Sequence, residues 1–546
     1  VNLKTAFSHK RTSWHRLIYL PIAILFLLSF VDCAKKGRPS GGKRDSIPPV
    51  IVRSNPENYT TNFNSNEIRI YFDEYIKLNE LQKNLIISPP LQYQPIITPI
   101  NTSKVLKIEI LDTLKENTTY SFNFGKSIVD NNEGNEFEYF KYVFSTGDYI
   151  DSLQLSGRVR DAERLQPEQP ITVMLYEVHE QFTDSIIYRE KPTYITVTKD
   201  STNTFELTNL KAGDYLLLAL KDKNNDFIFQ PTSDKIGFVA EYISLPSDST
   251  YTMSLFKETL GYEMARPSHT SKNEILFGYS GNIDSLQLDL LTQVPNDFTS
   301  TTYRDIKTDT LHYWFKPSVE KDTLLFTATN YNNIDTLAVR MQDLYRDSLK
   351  IKALNSGTVL PMDTLRLSAN TPLETFDSEK IIVTDKDTSL VAAGIQIDPT
   401  HNLITVSFPK QEEQNYKVEL LPGAVTDFFG MTNDSLSYQL RTKPTSDYGT
   451  LSLTLQNVNN LPMIVQLVDK NYEVVKERYL KENRQVLFDY IAPGTYFLRI
   501  VYDENANQIW DSGNFLERRQ PEKIVYYPTS LEVRANWSLN ETFILE

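Results

Sequence analysis

Cysteine is nearly absent: Cys33 is the only one among 546 residues. No intrachain disulfide can therefore form, and hydrophobic cores must hold the folded parts together. Histidine is scarce too, with only His179, His269, His312 and His401 beyond residue 32. Together with the lack of any HExxH, CxxC, phosphate-loop or dinucleotide-glycine pattern, this gives zinc, metalloprotease and nucleotide chemistry no support. No basic stripe offsets a formal net charge of −14, which makes nucleic acid a poor partner. The longest apolar run, Leu17 to Phe30, has 14 residues, short of the roughly 20 that a membrane-spanning helix needs.

What the chain does have is aromatic residues, 31 Tyr and 28 Phe, against only 19 Gly. That balance favours strands over helices. Period-two alternation follows: Ile68, Ile70 and Phe72 against Arg69 and Tyr71, then Leu106, Ile108 and Ile110, then Tyr120, Phe122 and Phe124. Such alternation marks half-buried strands. Runs such as Ser54-Asn55-Pro56-Glu57-Asn58 and Asp130-Asn131-Asn132-Glu133-Gly134 separate them with turn chemistry. The expected class is all-β, with tandem sandwiches in series, because the length exceeds what one core supports.

The first residues read as a processing signal. Lys4, Lys10, Arg11 and Arg16 precede the apolar run, and Cys33 stands three residues after it. This predicts a signal peptide over 1–32, a lipidated cysteine at Cys33 and a polar tether over 33–49, anchoring the chain to a membrane through lipid. Removing residues 1–32 takes four basic and one acidic residue and leaves −17.

Internal repeats organise the remainder. Leu210-Lys211-Ala212-Gly213-Asp214-Tyr215 returns as Ile491-Ala492-Pro493-Gly494-Thr495-Tyr496, and Asp222 to Asp226 returns as Asp503 to Asn507. Asn117 to Tyr120 has a counterpart in Gln414 to Tyr416, and Ile68 to Ile70 in Leu365 to Leu367. The expected sandwiches are 50–148, 149–257, 258–355, 356–447 and 448–546, with the first pair duplicated as the last.

Residues 50–148, with Asp73-Glu74-Tyr75-Ile76, Ile87-Ser88-Pro89-Pro90 and Phe144-Ser145-Thr146-Gly147-Asp148, resemble the bacterial Ig-like domain of the S-layer (SbsA) type. Cys33-Ala34 and Gly41-Gly42 ahead of Pro48-Pro49 are similar to the Ig-like-domain lipoproteins of Bacteroidota. Blocks 149–257 and 448–546 look like the transthyretin or carboxypeptidase-regulatory sandwich. The resemblance implies an outer-membrane lipoprotein, and the basic Ala34-Lys35-Lys36-Gly37-Arg38 run implies its periplasmic face, since surface-exposed lipoproteins of that group usually carry acidic residues there.

Four residues form the best metal candidate, and its earlier copy, Asp222, Asn224 and Asp226, offers only three ligands because Gln230 stands at position nine. Asp503, Asn505 and Asn507 at positions one, three and five, with Asp511 at nine, could offer oxygens to calcium. The competing reading is a turn in which those side chains bond nearby backbone amides. Gly278-Tyr279-Ser280-Gly281-Asn282 lacks the last glycine of a nucleophile elbow. Asp73 and Glu74 are adjacent on a strand and so face opposite ways. Tyr139, Tyr142, Trp314 and Trp510 either dock a ligand or pack in cores. No catalytic residue emerges. The expectation is a non-catalytic scaffold or docking arm for another outer-membrane protein, with a surface adhesin or glycan-binding module and an undetected hydrolase as alternatives.

Overall fold

The computed structural model describes residues 45–199, 202–482 and 484–545. Residues 1–44, with the expected signal peptide and Cys33, lie outside them. The described end of the tether is held to the first sandwich: Asn135 Nδ2 donates to the carbonyls of Asp45 (3.2 Å) and Ile47 (3.1 Å).

The architecture is all-β, as expected. In the first sandwich one sheet runs Ile51–Asn55, Glu67–Leu78, Ser103–Glu109, Ile96–Thr98 in spatial order, and Ile86–Ser88, Thr119–Asn123, Lys141–Ser145 form the other. The alternating residues read from sequence do line the core: Ile68, Ile70, Leu106, Ile108, Phe122 and Phe124 are fully buried. Each strand turns its apolar set inward because successive side chains point to opposite faces.

Further sandwiches lie over 263–340, with sheets built on Glu274–Ser280 and Thr323–Asn330, and over 351–441. Strand Ile351–Ala353 pairs with Leu365–Ala369. That places 351–355 with the fourth sandwich, five residues ahead of the expected start at 356. The segment 342–350 joins the third and fourth and carries no strand.

The second and fifth sandwiches share one topology. In the second, Thr204–Leu210, Leu153–Asp161 and Thr250–Leu255 make a three-stranded sheet whose last pair is parallel. In the fifth, Gln485–Ile491, Gly449–Gln456 and Ser538–Ile544 do the same. The larger sheets match too: Tyr194–Val197, Thr172–Glu177, Gly213–Lys221, Lys235–Phe238 against Val474–Leu480, Met463–Val468, Gly494–Tyr502, Ile524–Tyr526.

A shared tyrosine closes the same turn in both. The Tyr215 hydroxyl donates to the Lys211 carbonyl at 3.1 Å and that of Tyr496 to the Ala492 carbonyl at 2.8 Å. Burial pushes the Tyr215 hydroxyl up to about 12, so it stays a donor. Tyr496→Phe should cost about 1 kcal/mol by leaving that carbonyl unpaired, read as a lower urea midpoint with unchanged slope.

Inter-domain packing departs from a string of beads. The larger sheet of the second sandwich is buried on both faces. Val173, Leu175, Leu217 and Ala219 point into its own core, while Met174, Tyr176, Leu216 and Leu218 join a second cluster with Phe229, Phe238 and Phe256. Phe515 of the fifth sandwich completes that cluster, and Ile86 of the first packs on it. The second sandwich is thus a hub.

Candidate functional site

The loop 503–511 follows strand Gly494–Tyr502, and its shape comes from side chains bonding the backbone. Asp503 accepts the amides of Asn507 (3.1 Å) and Gln508 (2.9 Å) on its two oxygens. Asn505 Oδ1 accepts Asn507 N at 3.1 Å, and Asn507 Oδ1 accepts Ile509 N at 2.9 Å. Ala506 and Gln508 take positive φ, 62° and 69°, which this tight wrap requires.

The earlier copy is built alike. Asp222 accepts Asn224, Asn225 and Phe227 amides, and Asn225 and Phe227 hold φ of 55° and 64°. A second carboxylate braces each loop from outside. Asp234 accepts Lys223 N and Gln230 N; Glu522 accepts Glu504 N (2.8 Å) and Asp511 N (3.0 Å). Burial pushes the Glu522 carboxyl up, against the pull of those two amides, and the nearby Asp511 and Asp503 add to the rise.

Asp503, Asn505, Asn507 and Asp511 do come together. Asn505 Nδ2 and Asn507 Nδ2 both donate to Asp511 Oδ2, at 2.6 and 2.8 Å. Their oxygens accept backbone amides and the two Nδ2 groups point at the carboxylate. Among the described residues no group of three or more His, Cys, Asp and Glu could hold a metal ion. As arranged, Asp511 Oδ2 faces two N–H donors rather than an ion, and hydrogen bonds alone account for the turn. Melting with and without chelator should therefore give the same midpoint; a rise at millimolar calcium would restore the ion.

The other sequence candidates are dispersed. Ser280 ends strand Glu274–Ser280, and its hydroxyl donates to the Gly261 carbonyl at 2.9 Å. Asp73 accepts Val50 N at 2.9 Å. The Glu74 carboxyl is pushed up by burial and by Asp130 and Asp73. Tyr142 and Trp314 are buried, Trp510 packs on the hub cluster, and Tyr139 is exposed.

Sequence reasoning missed the contact between the second and fifth sandwiches. Arg499 is buried; its Nε donates to Gln466 Oε1 (2.7 Å) and its Nη1 to the Glu163 carbonyl (2.8 Å). The Tyr526 hydroxyl reaches that same carbonyl. Arg518 pairs with Asp184 at 2.5 Å. The third and fourth meet at Tyr303, Trp314, Phe428 and Phe429, with Lys316 over the Phe428 ring and Arg346 over the Phe429 ring.

No curated protein matches the chain. Among solved structures it is similar to the surface layer protein SbsC, domains 1–6, at 12% identity and a TM-score of 0.15, over 89% of this chain and 67% of that one. It is also similar to the Bacillus anthracis TIE protein (11%, 0.13, 93% and 76%). A third is the Bacteroides ovatus mixed-linkage glucan utilization locus protein SGBP-B, solved with a mixed-linkage heptasaccharide (12%, 0.18, 70% and 92%). Residues 45–146, the first sandwich, match the bacterial Ig-like domain family.

Proposed function

We propose that the chain is a non-catalytic brace of the cell envelope, lipid-anchored at Cys33 to the outer membrane and facing the periplasm, that docks another outer-membrane protein. The observation that carries this reading is the hub. A chain of five sandwiches that folds its fifth onto its second, by an apolar cluster and buried polar pins, keeps a fixed outline, as a spacer or docking arm requires.

The docking edges fall on the sandwich next to the tether. Strands Ile51–Asn55 and Ile96–Thr98 are the two outer strands of one sheet, and Val52 (64% exposed) and Ile100 (91%) are bare there. Open edges with exposed apolar side chains accept an added strand from a partner.

The test is a photo-crosslinking residue at Val52 or Ile100 in intact cells, read by mass spectrometry. Capture of one outer-membrane protein, absent from a control at Glu532 of the fifth sandwich, supports the brace. Digestion of the chain by protease added to intact cells would end the periplasmic orientation. Retention on glycans with no protein captured would favour the adhesin alternative.

A further inference from the structure

The duplicated sandwiches supply an internal control for a cleft found in only one of them. Superposing their strand registers equates Asp161 with Asn457, Lys221 with Tyr502, and Lys235 with Lys523. In the second sandwich this corner is shut. Lys235 pairs with Asp161 at 2.7 Å, and Lys221 donates to the carbonyls of Gln169 (2.9 Å) and Pro170 (3.3 Å). Gln169 is tied in turn to Asn203 and Thr198.

In the fifth sandwich every one of those closures is gone. Asn457 in place of the aspartate leaves Lys523 without a carboxylate. Tyr502 in place of the lysine leaves the loop unclasped, and that loop is four residues shorter. A cleft of about 480 Å³ opens, lined by Asn457, Asn459, Asn460, Tyr502, Glu504 and Lys523 among others. Among the described residues, no side-chain hydrogen bond or ion pair engages Asn457, Asn459, Asn460 or Glu504, and Lys523 meets only the Tyr502 ring, at 5.4 Å.

We infer that this cleft binds a hydroxyl-rich saccharide. Its volume lies within the roughly 300 to 1,000 Å³ of small-molecule sites, but its lining is polar. Unengaged amides offer paired donors and acceptors in the geometry that sugar hydroxyls and acetamido groups present. One lysine stands against Glu504 and the amide-bound Asp503, so the lining is close to neutral with a slight negative balance and does not select an anion. Leu461, Pro462 and Tyr502 supply the small apolar surface that a sugar ring's C–H face covers. The Asp503 turn serves as the wall, its carboxylate committed to amides. This inference does not rest on the brace: a docking arm without a glycan site, or a glycan site on another kind of protein, would each leave the other standing.

The experiment is ligand-observed saturation-transfer NMR on the full chain with chitotetraose and cellotetraose as probes. Either source is hydroxyl-rich; stronger transfer from chitotetraose points to acetamido-bearing envelope glycans, and stronger transfer from cellotetraose to plain glucans. Asn459→Ala with Asn460→Ala should weaken binding at least tenfold without moving the melting midpoint, since neither side chain has a partner in the fold. Asn457→Asp should recreate the ion pair with Lys523, narrow the cleft and weaken binding while the midpoint holds or rises. Absence of transfer from both probes at millimolar concentration, or equal binding by all three proteins, overturns the inference.

Discussion

Phe515→Ala is expected to release the fifth sandwich from the second. The ring is fully buried and sits edge-on to Phe238, with centroids 5.3 Å apart and planes at 81°. Its own amide donates to Glu258 Oε1 at 2.5 Å, and burial holds that carboxyl up. Gly513 lies so near Phe256 that a Cβ would stand 2.5 Å from the ring, so the segment cannot slide to refill a cavity. Removing a buried Phe costs about 3–5 kcal/mol, or about two to three and a half powers of ten in the closed-to-open ratio. Of the other pins, Arg518 to Asp184 and Gln520 to the Phe238 carbonyl are polar and partly exposed, and such pairs contribute little by themselves, while Arg499 and Tyr526 grip only the Glu163 carbonyl. Spin labels at Glu206 and Glu532 should give a narrow distance distribution in the wild type and a broad, longer one in the variant. An unchanged distribution would place the closure elsewhere, in Arg499 and Tyr526.

The sequence already contained a sign of that contact. Tyr215-Leu216-Leu217-Leu218-Ala219-Leu220 does not alternate, and a strand with apolar residues on both sides is buried on both faces. Alternation was enough for strands such as Glu67–Leu78 because local periodicity decides which side faces a core. What covers the outer face of Gly213–Lys221 is decided by Phe515, about 300 residues away, and no period reports it. Duplication was legible through turn residues, Gly213 and Tyr215 against Gly494 and Tyr496, since backbone geometry demands them. The parallel pairing of Leu153–Asp161 with Thr250–Leu255 was not, because its strands stand at opposite ends of the unit.

The loop at Asp503 shows where side-chain chemistry reaches its limit. Oxygens at alternate positions are what both an ion and an Asx turn need. Only the placement of the amide hydrogens, with Asn505 and Asn507 donating to Asp511, separates them. The cleft beside it was invisible for a different reason: Asn457, Tyr502 and Lys523 come from three separate stretches, and what sets them apart is the pairing their counterparts make in the other copy.

That comparison also forecasts the second large effect, at Gly157. It sits midway along Leu153–Asp161, between Phe205 on one side and Tyr251 on the other. A Cβ there would lie 2.2 Å from the Tyr251 carbonyl and 2.5 Å from the Phe205 ring. The corresponding residue of the fifth sandwich is Leu453, fully buried, with Val486 opposite it. The two copies fill one volume in opposite ways: glycine with phenylalanine, or leucine with valine. Gly157→Ala overfills the first arrangement, and because interiors pack densely the strands must part, at a cost of about 3 kcal/mol. Adding Phe205→Val should return part of that loss, since it removes the ring but not the carbonyl contact, and the two changes should couple strongly in a double-mutant cycle. Because the second sandwich is the hub, Gly157→Ala should also broaden the label distances to the fifth, while Leu453→Ala should leave a cavity in its own sandwich and cost about 2–5 kcal/mol. Urea denaturation of the four proteins decides it: a neutral Gly157→Ala, or additive losses with Phe205→Val, would mean the cores do not trade volume in this way.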